Sequence, residues 1–359
     1  STGMPKDGGF GEYKFSNYDQ LVDCPIEIGN QFVFEFNAAG VKHYVAMYGE
    51  GNYDVERLKE DMAKIVEACT NVFGFNPNKE YTFIIHNITD GGGGLEHVNS
   101  TTLQVDRWAY EGSSYRGFLS LVAHEYFHLW NVKRIRPIEL GPFDYENEVY
   151  TSLLWIMEGF TSYYDELLLL RAGFYEPEDY MRKMSSTITY VENQPGNRVL
   201  PLSEASMDAW IKLYRPNENS VNTTVSYYSK GSIIAFLLDL EIITSTKGEK
   251  RLDDVLVYLY KEYYEGKGRG FTAEEAKSAI ETVAGKDMTE FFEKYINGAE
   301  PLKYNMITNP AGLTLIDLNE EKPEASLGVR TRSVGGKLTI STVLRNISAY
   351  ESGLNVNDE

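Results

Sequence analysis

Residues 124–128 read His-Glu-Tyr-Phe-His and lie within an apolar run over residues 119–130. That run is long enough for about three helical turns, and residues four positions apart lie on one helical face. The imidazoles of His124 and His128 are therefore expected to converge, and neutral imidazole is a good zinc ligand. Glu125 directly follows the first histidine and is suited to act as a general base toward water. The pattern predicts a catalytic zinc site, although two histidines at this spacing also occur on helices by chance.

A catalytic zinc site needs a third protein ligand, which is usually sought downstream of the two histidines. The spacing of one common group of zinc peptidases places an acid at position 147, but that residue is Asn147. Glu158 is a lone acid in an apolar stretch over residues 153–164, where a carboxylate is costly to bury unless it is paired or binds a metal. We predict Glu158 as the third ligand of one Zn²⁺ per chain, with Glu146 or Glu148 as alternatives.

Four segments resemble the M61 metallopeptidases, the glycyl aminopeptidase family, which is related to the M1 aminopeptidases. Residues 93–97, Gly-Gly-Leu-Glu-His, resemble the exopeptidase loop of the M1 enzymes, and residues 124–137 resemble the M61 zinc helix. Residues 155–164 resemble the third-ligand helix, and residues 227–231, Tyr-Tyr-Ser-Lys-Gly, resemble the segment of the catalytic tyrosine. The segments stand in the family's order, and the surrounding sequence from about residue 18 to residue 311 is also similar to M61.

The resemblance implies a substrate-binding loop at residues 93–97. Glu96 is expected to bind the α-ammonium group of a peptide, which would fix the chain end near the metal. Gly93 and Gly94 lack side chains and so let the backbone approach a ligand closely. His97 stands where the M1 enzymes have asparagine, and it is expected either to polarise a substrate carbonyl or to lie near the zinc.

The resemblance also implies a catalytic tyrosine. Tyr228, rather than Tyr227, stands in the family register and is expected to donate a hydrogen bond to the oxyanion that develops in the transition state. Further carboxylates usually orient histidines that bind a metal. Asp144, Glu146 and Glu148 are candidates for that role, and the sequence does not rank them.

The composition limits the classes of partner. The chain has 359 residues, of which 42% are hydrophobic, and a net charge of −19. This acidity argues against nucleic acid, whose phosphates need clustered Lys and Arg. No stretch approaches the roughly 18 apolar residues of a membrane span. We expect a soluble, bacterial-type protein, cytoplasmic or exported with its signal peptide removed, that binds peptides with a free N-terminus.

The sequence predicts an α+β fold: a thermolysin-like (gluzincin) zinc peptidase domain, a mostly helical C-terminal subdomain and a partial, β-rich tail. The tail resembles the first part of a PDZ domain, so we expect the chain to be a fragment of a longer protein. The expected order is an irregular lead over 1–17, the catalytic subdomain over 18–170, the helical subdomain over 171–311 and the PDZ-like tail over 312–359. Period-two alternation and β-rich composition predict strands near residues 32–36, 42–48, 81–86, 313–316, 328–332 and 338–343.

Three functions fit these features. The first is a zinc aminopeptidase, for which the resemblance implies small N-terminal residues such as Gly or Ala. The second is a zinc endopeptidase of the thermolysin type, and Glu96 discriminates the two because only the first needs a free amine. The third is a noncatalytic peptide-binding module, which is least favoured because every predicted catalytic position holds a competent residue.

Overall fold

The computed structural model of this chain describes residues 1–4, 6, 8, 11–320 and 325–359. Positions 5, 7, 9 and 10 of the expected lead, and positions 321–324 of the expected tail, lie outside the described residues. The backbone forms two compact units. The first comprises Ser1–Val149, Thr161–Lys183 and Asp253–Thr272, and the second comprises Tyr150–Phe160, Met184–Leu252 and Ala273–Glu359. The domain boundaries expected from the sequence stay predictions.

A mixed sheet organises the first unit. Its strands are β1 (Phe32–Ala38), β2 (Val41–Tyr48), β3 (Glu80–Ile88), β4 (Gly94–Glu96) and β5 (Ser100–Asp106). They lie in the order β1-β2-β3-β5-β4, with β2, β3 and β5 parallel and the two outer strands antiparallel to their neighbours. The central strand β3 is almost continuously buried, as expected for a parallel strand covered on both faces. The three strands predicted in this part of the chain are confirmed.

The remainder of the described chain is largely helical. The α-helices are α1 (Tyr18–Val22), α2 (Val55–Phe73), α3 (Gly112–Phe127), α4 (Phe160–Arg171), α5 (Pro177–Glu192), α6 (Leu202–Met207), α7 (Ser220–Thr223), α8 (Tyr227–Ser245), α9 (Leu252–Leu259), α10 (Ala273–Ala284), α11 (Thr289–Tyr295), α12 (Tyr304–Thr308) and α13 (Ser348–Glu351). Tighter 3₁₀ turns lie at Ile138–Leu140, Pro195–Arg198 and Asn309–Ala311, and π-helical turns lie at Trp155–Gly159 and Tyr260–Lys267. Within the part of the chain that is described, no helix has both the length and the apolar character that crossing a membrane requires.

Helix α3 is anchored in the first unit through the face that carries Tyr126. The ring of Tyr126 stacks on Phe83 of β3 at a centroid distance of 5.8 Å. Its hydroxyl lies 2.9 Å from Nε2 of His43 and accepts a 2.7 Å hydrogen bond from the side chain of Asn76. Buried aromatic rings with satisfied polar atoms hold an element firmly. These contacts fix the rotation of the helix that carries residues 124–128.

Near its C-terminal end, the second unit contains an antiparallel pair, β6 (Val329–Val334) and β7 (Lys337–Val343). These strands confirm the predictions near residues 328–332 and 338–343, whereas the strand predicted at residues 313–316 was wrong. That segment has no strand partner, because the side-chain amide of Asn305 accepts a hydrogen bond from N of Leu315 at 2.8 Å and donates one to its O at 2.9 Å. The PDZ-like assignment of the tail stays a prediction.

Candidate active site

The two histidines of the predicted zinc site lie at the C-terminal end of α3. Helix α3 ends at Phe127, and His128 is its C-terminal cap, with its N–H donating to O of His124 at 3.2 Å. The two imidazole rings lie 4.7 Å apart, nearly perpendicular to each other. The residues four apart thus lie together on one face, as the helical period requires. Glu125 is buried beside them.

Hydrogen bonds select the ring nitrogen that each histidine can offer to a metal. Nδ1 of His124 lies 2.9 Å from a carboxylate oxygen of Asp165. Nδ1 of His128 lies 2.7 Å from O of Asn131, so it must carry the proton because a carbonyl oxygen only accepts. Such partners fix the tautomer and leave Nε2 as the ligand nitrogen. Both imidazoles therefore have the form that binds zinc.

Glu158 lies in the π-helical turn Trp155–Gly159, which continues directly into α4. Turns of this kind inside helices often occur at functional sites because they displace one residue from the regular face. One ligand atom each from His124, His128 and Glu158 lies within 4.8 Å of the other two. Two imidazoles and one carboxylate are the donor set of a known class of catalytic zinc site. The residues present thus fit a zinc ion.

Asp165 is a functional residue that the sequence analysis missed. Its side chain is 13% exposed, and burial raises its pKa while the hydrogen bond with His124 opposes that shift. Asp144, one of the residues considered for this role, instead accepts hydrogen bonds from the backbone of Glu146 and Asn147 at an exposed turn. Asp165 stands seven residues, or about two helical turns, after Glu158, but this spacing alone does not show that it faces His124.

The glycine-rich loop lies against Glu125. A methyl group on Gly94 would stand 2.6 Å from Cδ and Oε1 of Glu125, so any larger residue here would force this carboxylate to move. The loop is fixed by β4, in which Gly94 pairs with Leu103, and by the carbonyl of Gly93, which accepts a hydrogen bond from N of Gln104 at 2.9 Å. Gly93 has φ of 104°, a conformation that favours glycine.

Glu96 closes β4 and is half-buried. The buried hydroxyl of Tyr81 senses both acids, since burial raises its pKa and the charges of Glu125 and Glu96 raise it further. The carboxylates of Glu125 and Glu96 therefore both lie near Tyr81.

His97 is buried and paired with a carboxylate. Its Nδ1 lies 3.4 Å from Oδ1 of Asp23, which also receives the ammonium group of Lys133 at 2.6 Å. Burial works against the ionised form of Asp23, but the hydrogen bond from His97 and the charge of Lys133 leave its pKa below the usual value. This environment explains how a histidine is held directly after Glu96.

In the second unit, Tyr228 lies in the first turn of α8, whose N-cap is Ser226. Helix α8 crosses the π-helical turn of Glu158 at two glycines: a methyl group on Gly159 would lie 2.5 Å from Cα of Gly231, and one on Gly231 would lie 2.8 Å from Cα of Gly159. Burial and the nearby charge of Glu158 raise the pKa of Tyr228 well above its usual value. Tyr228 thus keeps its proton as a hydrogen-bond donor.

The part of the chain that carries these residues is similar to a known protein family. Residues 117–234 match the M61 glycyl aminopeptidase family. The matched range contains the two histidines, Glu125, Glu158 and Tyr228, and it confirms the expected resemblance over these residues. No curated protein matches the sequence of this chain.

Solved structures extend the comparison to the fold. The crystal structure of an aminopeptidase N family protein from Idiomarina loihiensis is 32% identical, with a TM-score of 0.90, and the match covers 100% of this chain. It covers 65% of that protein, so this chain spans less than two thirds of its relative's length. An M1 zinc metallopeptidase from Deinococcus radiodurans, bound to a Tyr-Ser-Ala substrate, is 15% identical with a TM-score of 0.49, covering 76% of this chain and 53% of that one. The mixed α+β fold with its helical part is shown by the first match.

Proposed function

We propose that this protein is a zinc-dependent aminopeptidase that removes small N-terminal residues, Gly or Ala, from peptides. The observation that carries the proposal is the convergence of His124, His128 and Glu158, with the buried Glu125 on the same helix as the two histidines. The match of residues 117–234 to the glycyl aminopeptidase family supports the exopeptidase activity and the preference for small residues.

The chemistry at the metal divides between the ligands and Glu125. His124, His128 and Glu158 would hold zinc, which when bound lowers the pKa of water and polarises a carbonyl group. Glu125 accepts a proton from the attacking water and returns it to the nitrogen of the leaving amine. This carboxylate is buried and lies beside Gly94, where a methyl group would come within 2.6 Å of it.

Two further residues act on the substrate. Tyr228 donates a hydrogen bond to the oxygen that becomes negative as the peptide carbonyl is attacked, an interaction that is strongest in the transition state. Glu96 pairs with the free α-ammonium group and sets the distance between the chain end and the scissile bond. Gly93, Gly94 and His97 are proposed to line this end of the substrate. A peptide that lacks the ammonium group would lose this anchor.

Metal analysis combined with a panel of aminoacyl chromogenic substrates tests the proposal. We expect one zinc per chain, loss of hydrolysis on chelation, and recovery when zinc is restored. Glu125→Gln should keep the metal and the fold but lower kcat by several orders of magnitude, because the amide cannot accept the proton. Near-normal turnover by Glu125→Gln would exclude Glu125 as the base. Failure to bind zinc would exclude the metallopeptidase itself.

Glu96→Ala separates the exopeptidase from an endopeptidase of the thermolysin type. In the aminopeptidase, the variant should lose most of its activity on peptides with a free amine, because the ammonium group has lost its carboxylate partner. An endopeptidase would cleave internal bonds equally well with Glu96 or Ala at this position. The comparison needs only the two proteins and one peptide of defined sequence, with the products identified by mass.

A further inference from the structure

The hydroxyl of Tyr214 lies against the hydroxyl groups of both tyrosines at the start of α8. Oη of Tyr214 is 3.2 Å from Oη of Tyr228, and Oη of Tyr227 donates to it at 3.5 Å. The rings of Tyr227 and Tyr228 stack at 4.8 Å, which keeps their hydroxyl groups on one side. The three hydroxyl groups therefore lie close together, and that of Tyr214 contacts the other two.

The backbone around Tyr214 is fixed although its side chain is 58% exposed. Its N–H donates to O of the buried Ala209 at 3.1 Å. The same turn is closed by the N–H of Lys212, which donates to O of Asp208 at 2.9 Å, and by an ion pair between their side chains at 2.8 Å. The ring of Trp210 lies 6.4 Å from that of Tyr214. These contacts hold a surface tyrosine at one place beside Tyr228.

The direction of the hydrogen bonds follows from the number of protons. Each phenol has one proton to donate, and the contact between Tyr214 and Tyr228 permits either direction. When Tyr214 accepts a hydrogen bond from Tyr227, it can donate its own proton in a hydrogen bond to Oη of Tyr228. Tyr228 then keeps its proton for another acceptor, and hydrogen bonds in such a chain strengthen one another. The reverse direction would turn the proton of Tyr228 away from a substrate.

We propose that Tyr214 is a positioning residue for the reaction, which accepts from Tyr227, donates to Oη of Tyr228 and so aims the proton of Tyr228 at the oxyanion. This inference rests on the proposed function, in which Tyr228 stabilises that oxyanion. The distance of 3.2 Å is longer than the usual 2.7–2.8 Å between hydroxyl oxygens. Catalytic hydrogen bonds often tighten only when substrate is bound.

A double-mutant cycle with Tyr214→Phe and Tyr228→Phe tests the coupling in the zinc-loaded enzyme. Tyr214→Phe alone should lower kcat by about fivefold to tenfold, the effect of one hydrogen bond, with little change in KM. In the Tyr228→Phe background the same change should have no further effect, because Tyr214 acts only through Tyr228. Tyr190→Phe, at a tyrosine of similar exposure in α5, is the matched control and should leave kcat unchanged.

A spectroscopic measurement tests the contact without turnover or metal. In the metal-free chain with 3-fluorotyrosine at position 228, Tyr214→Phe should shift the ¹⁹F resonance and Tyr190→Phe should not. An unmoved resonance overturns the contact, and an equal loss of kcat in both backgrounds overturns the positioning role. An inactive wild-type enzyme would instead refute the proposed function, while the resonance would still decide whether Tyr214 contacts Tyr228.

Discussion

Asp165 holds the imidazole of His124, which we propose as a metal ligand. Its carboxylate holds Nδ1 of His124 at 2.9 Å, which sets the ring's orientation and makes its other nitrogen the donor. Asp165→Asn should weaken zinc binding by about tenfold to a hundredfold, because the neutral amide holds the imidazole less well. Competition with a chelator of known affinity measures the change. Glu178→Gln, at an exposed position of α5, is the control, and equal zinc affinities in the two variants would contradict the role of Asp165.

Gly94 makes room for the carboxylate of Glu125. A methyl group there would lie 2.6 Å from that carboxylate, whereas one on Gly92 would have nothing within 4 Å. Gly94→Ala should therefore lower kcat/KM by at least about tenfold by displacing Glu125, the proposed base, as small misplacements of a catalytic group do, and zinc content should stay unchanged. Gly92→Ala is the matched control within the same loop. Equal kcat/KM values for the two variants would show that the loop tolerates a side chain at Gly94.

Individual residues were predictable from sequence where one local element carries them. The spacing of His124 and His128 places them on one face of any helix, and Glu158 was proposed as a ligand because its neighbours in sequence are apolar. Asp165 was not predicted, because its contact with His124 depends on how α4 packs against α3. Local spacing in the sequence carries no information about that packing. Asp23, the partner of His97, is 74 positions away in the sequence, and no short-range pattern connects them.

At the level of elements, the crossing of α8 with the π-helical turn depends on Gly159 and Gly231. Replacing glycine by alanine inside a helix usually stabilises it by about 0.5–1 kcal/mol. Gly231→Ala should instead lower the free energy of unfolding by about 1–3 kcal/mol, because the methyl group would lie 2.8 Å from Cα of Gly159. Chemical denaturation measures this value. Gly117→Ala on α3, where nothing lies within 4 Å, should be neutral or stabilising; the same sign for both variants would contradict the crossing.

His43 makes the packing of α3 on the sheet sensitive to pH. Burial lowers its pKa from 6.5 to about 4. Between these values the unfolded chain binds more protons than the folded one, so stability falls as the pH falls. The loss from this group reaches about 3 kcal/mol, at about 1.4 kcal/mol for each unit of pKa shift.

Removing that histidine should flatten the pH dependence of unfolding. In metal-free protein, His43→Gln should reduce the loss of unfolding free energy between pH 6.5 and 4 relative to wild type, because glutamine does not titrate. Denaturation curves at several pH values give the two slopes. Identical slopes would mean that His43 is already protonated in the fold or does not contribute.

Strands and helix ends were predicted correctly where a few neighbouring residues determine them. Asp54 caps α2 and Gly74 ends it with φ of 78°, as residues of these types are expected to do. The segment 313–316 has β-rich composition, yet the side chain of Asn305 takes the hydrogen bonds of Leu315 that a strand partner would have used. That competition between a side chain and a strand is not visible in composition.

On the scale of the whole chain, the units are interleaved in sequence rather than consecutive. The first unit takes up Thr161–Lys183 and Asp253–Thr272, while Tyr150–Phe160 belongs to the second. Strand alternation and helix caps are patterns over a few neighbouring residues. They therefore cannot predict which distant segments pack into the same unit. The fold class was accessible because it depends on which elements occur, and the match to the Idiomarina loihiensis structure over the full chain supports it.

We propose that this chain removes N-terminal residues from peptides and needs zinc to do so. The most direct measurement compares a glycyl peptide with its N-acetylated counterpart, using wild-type protein before chelation, after chelation and after zinc is restored, with products identified by mass. We predict release of glycine from the free peptide only when metal is present, and no cleavage of the acetylated peptide, because acetylation removes the charge that Glu96 is proposed to bind. Efficient cleavage of the acetylated peptide at internal bonds would contradict the aminopeptidase and establish an endopeptidase instead.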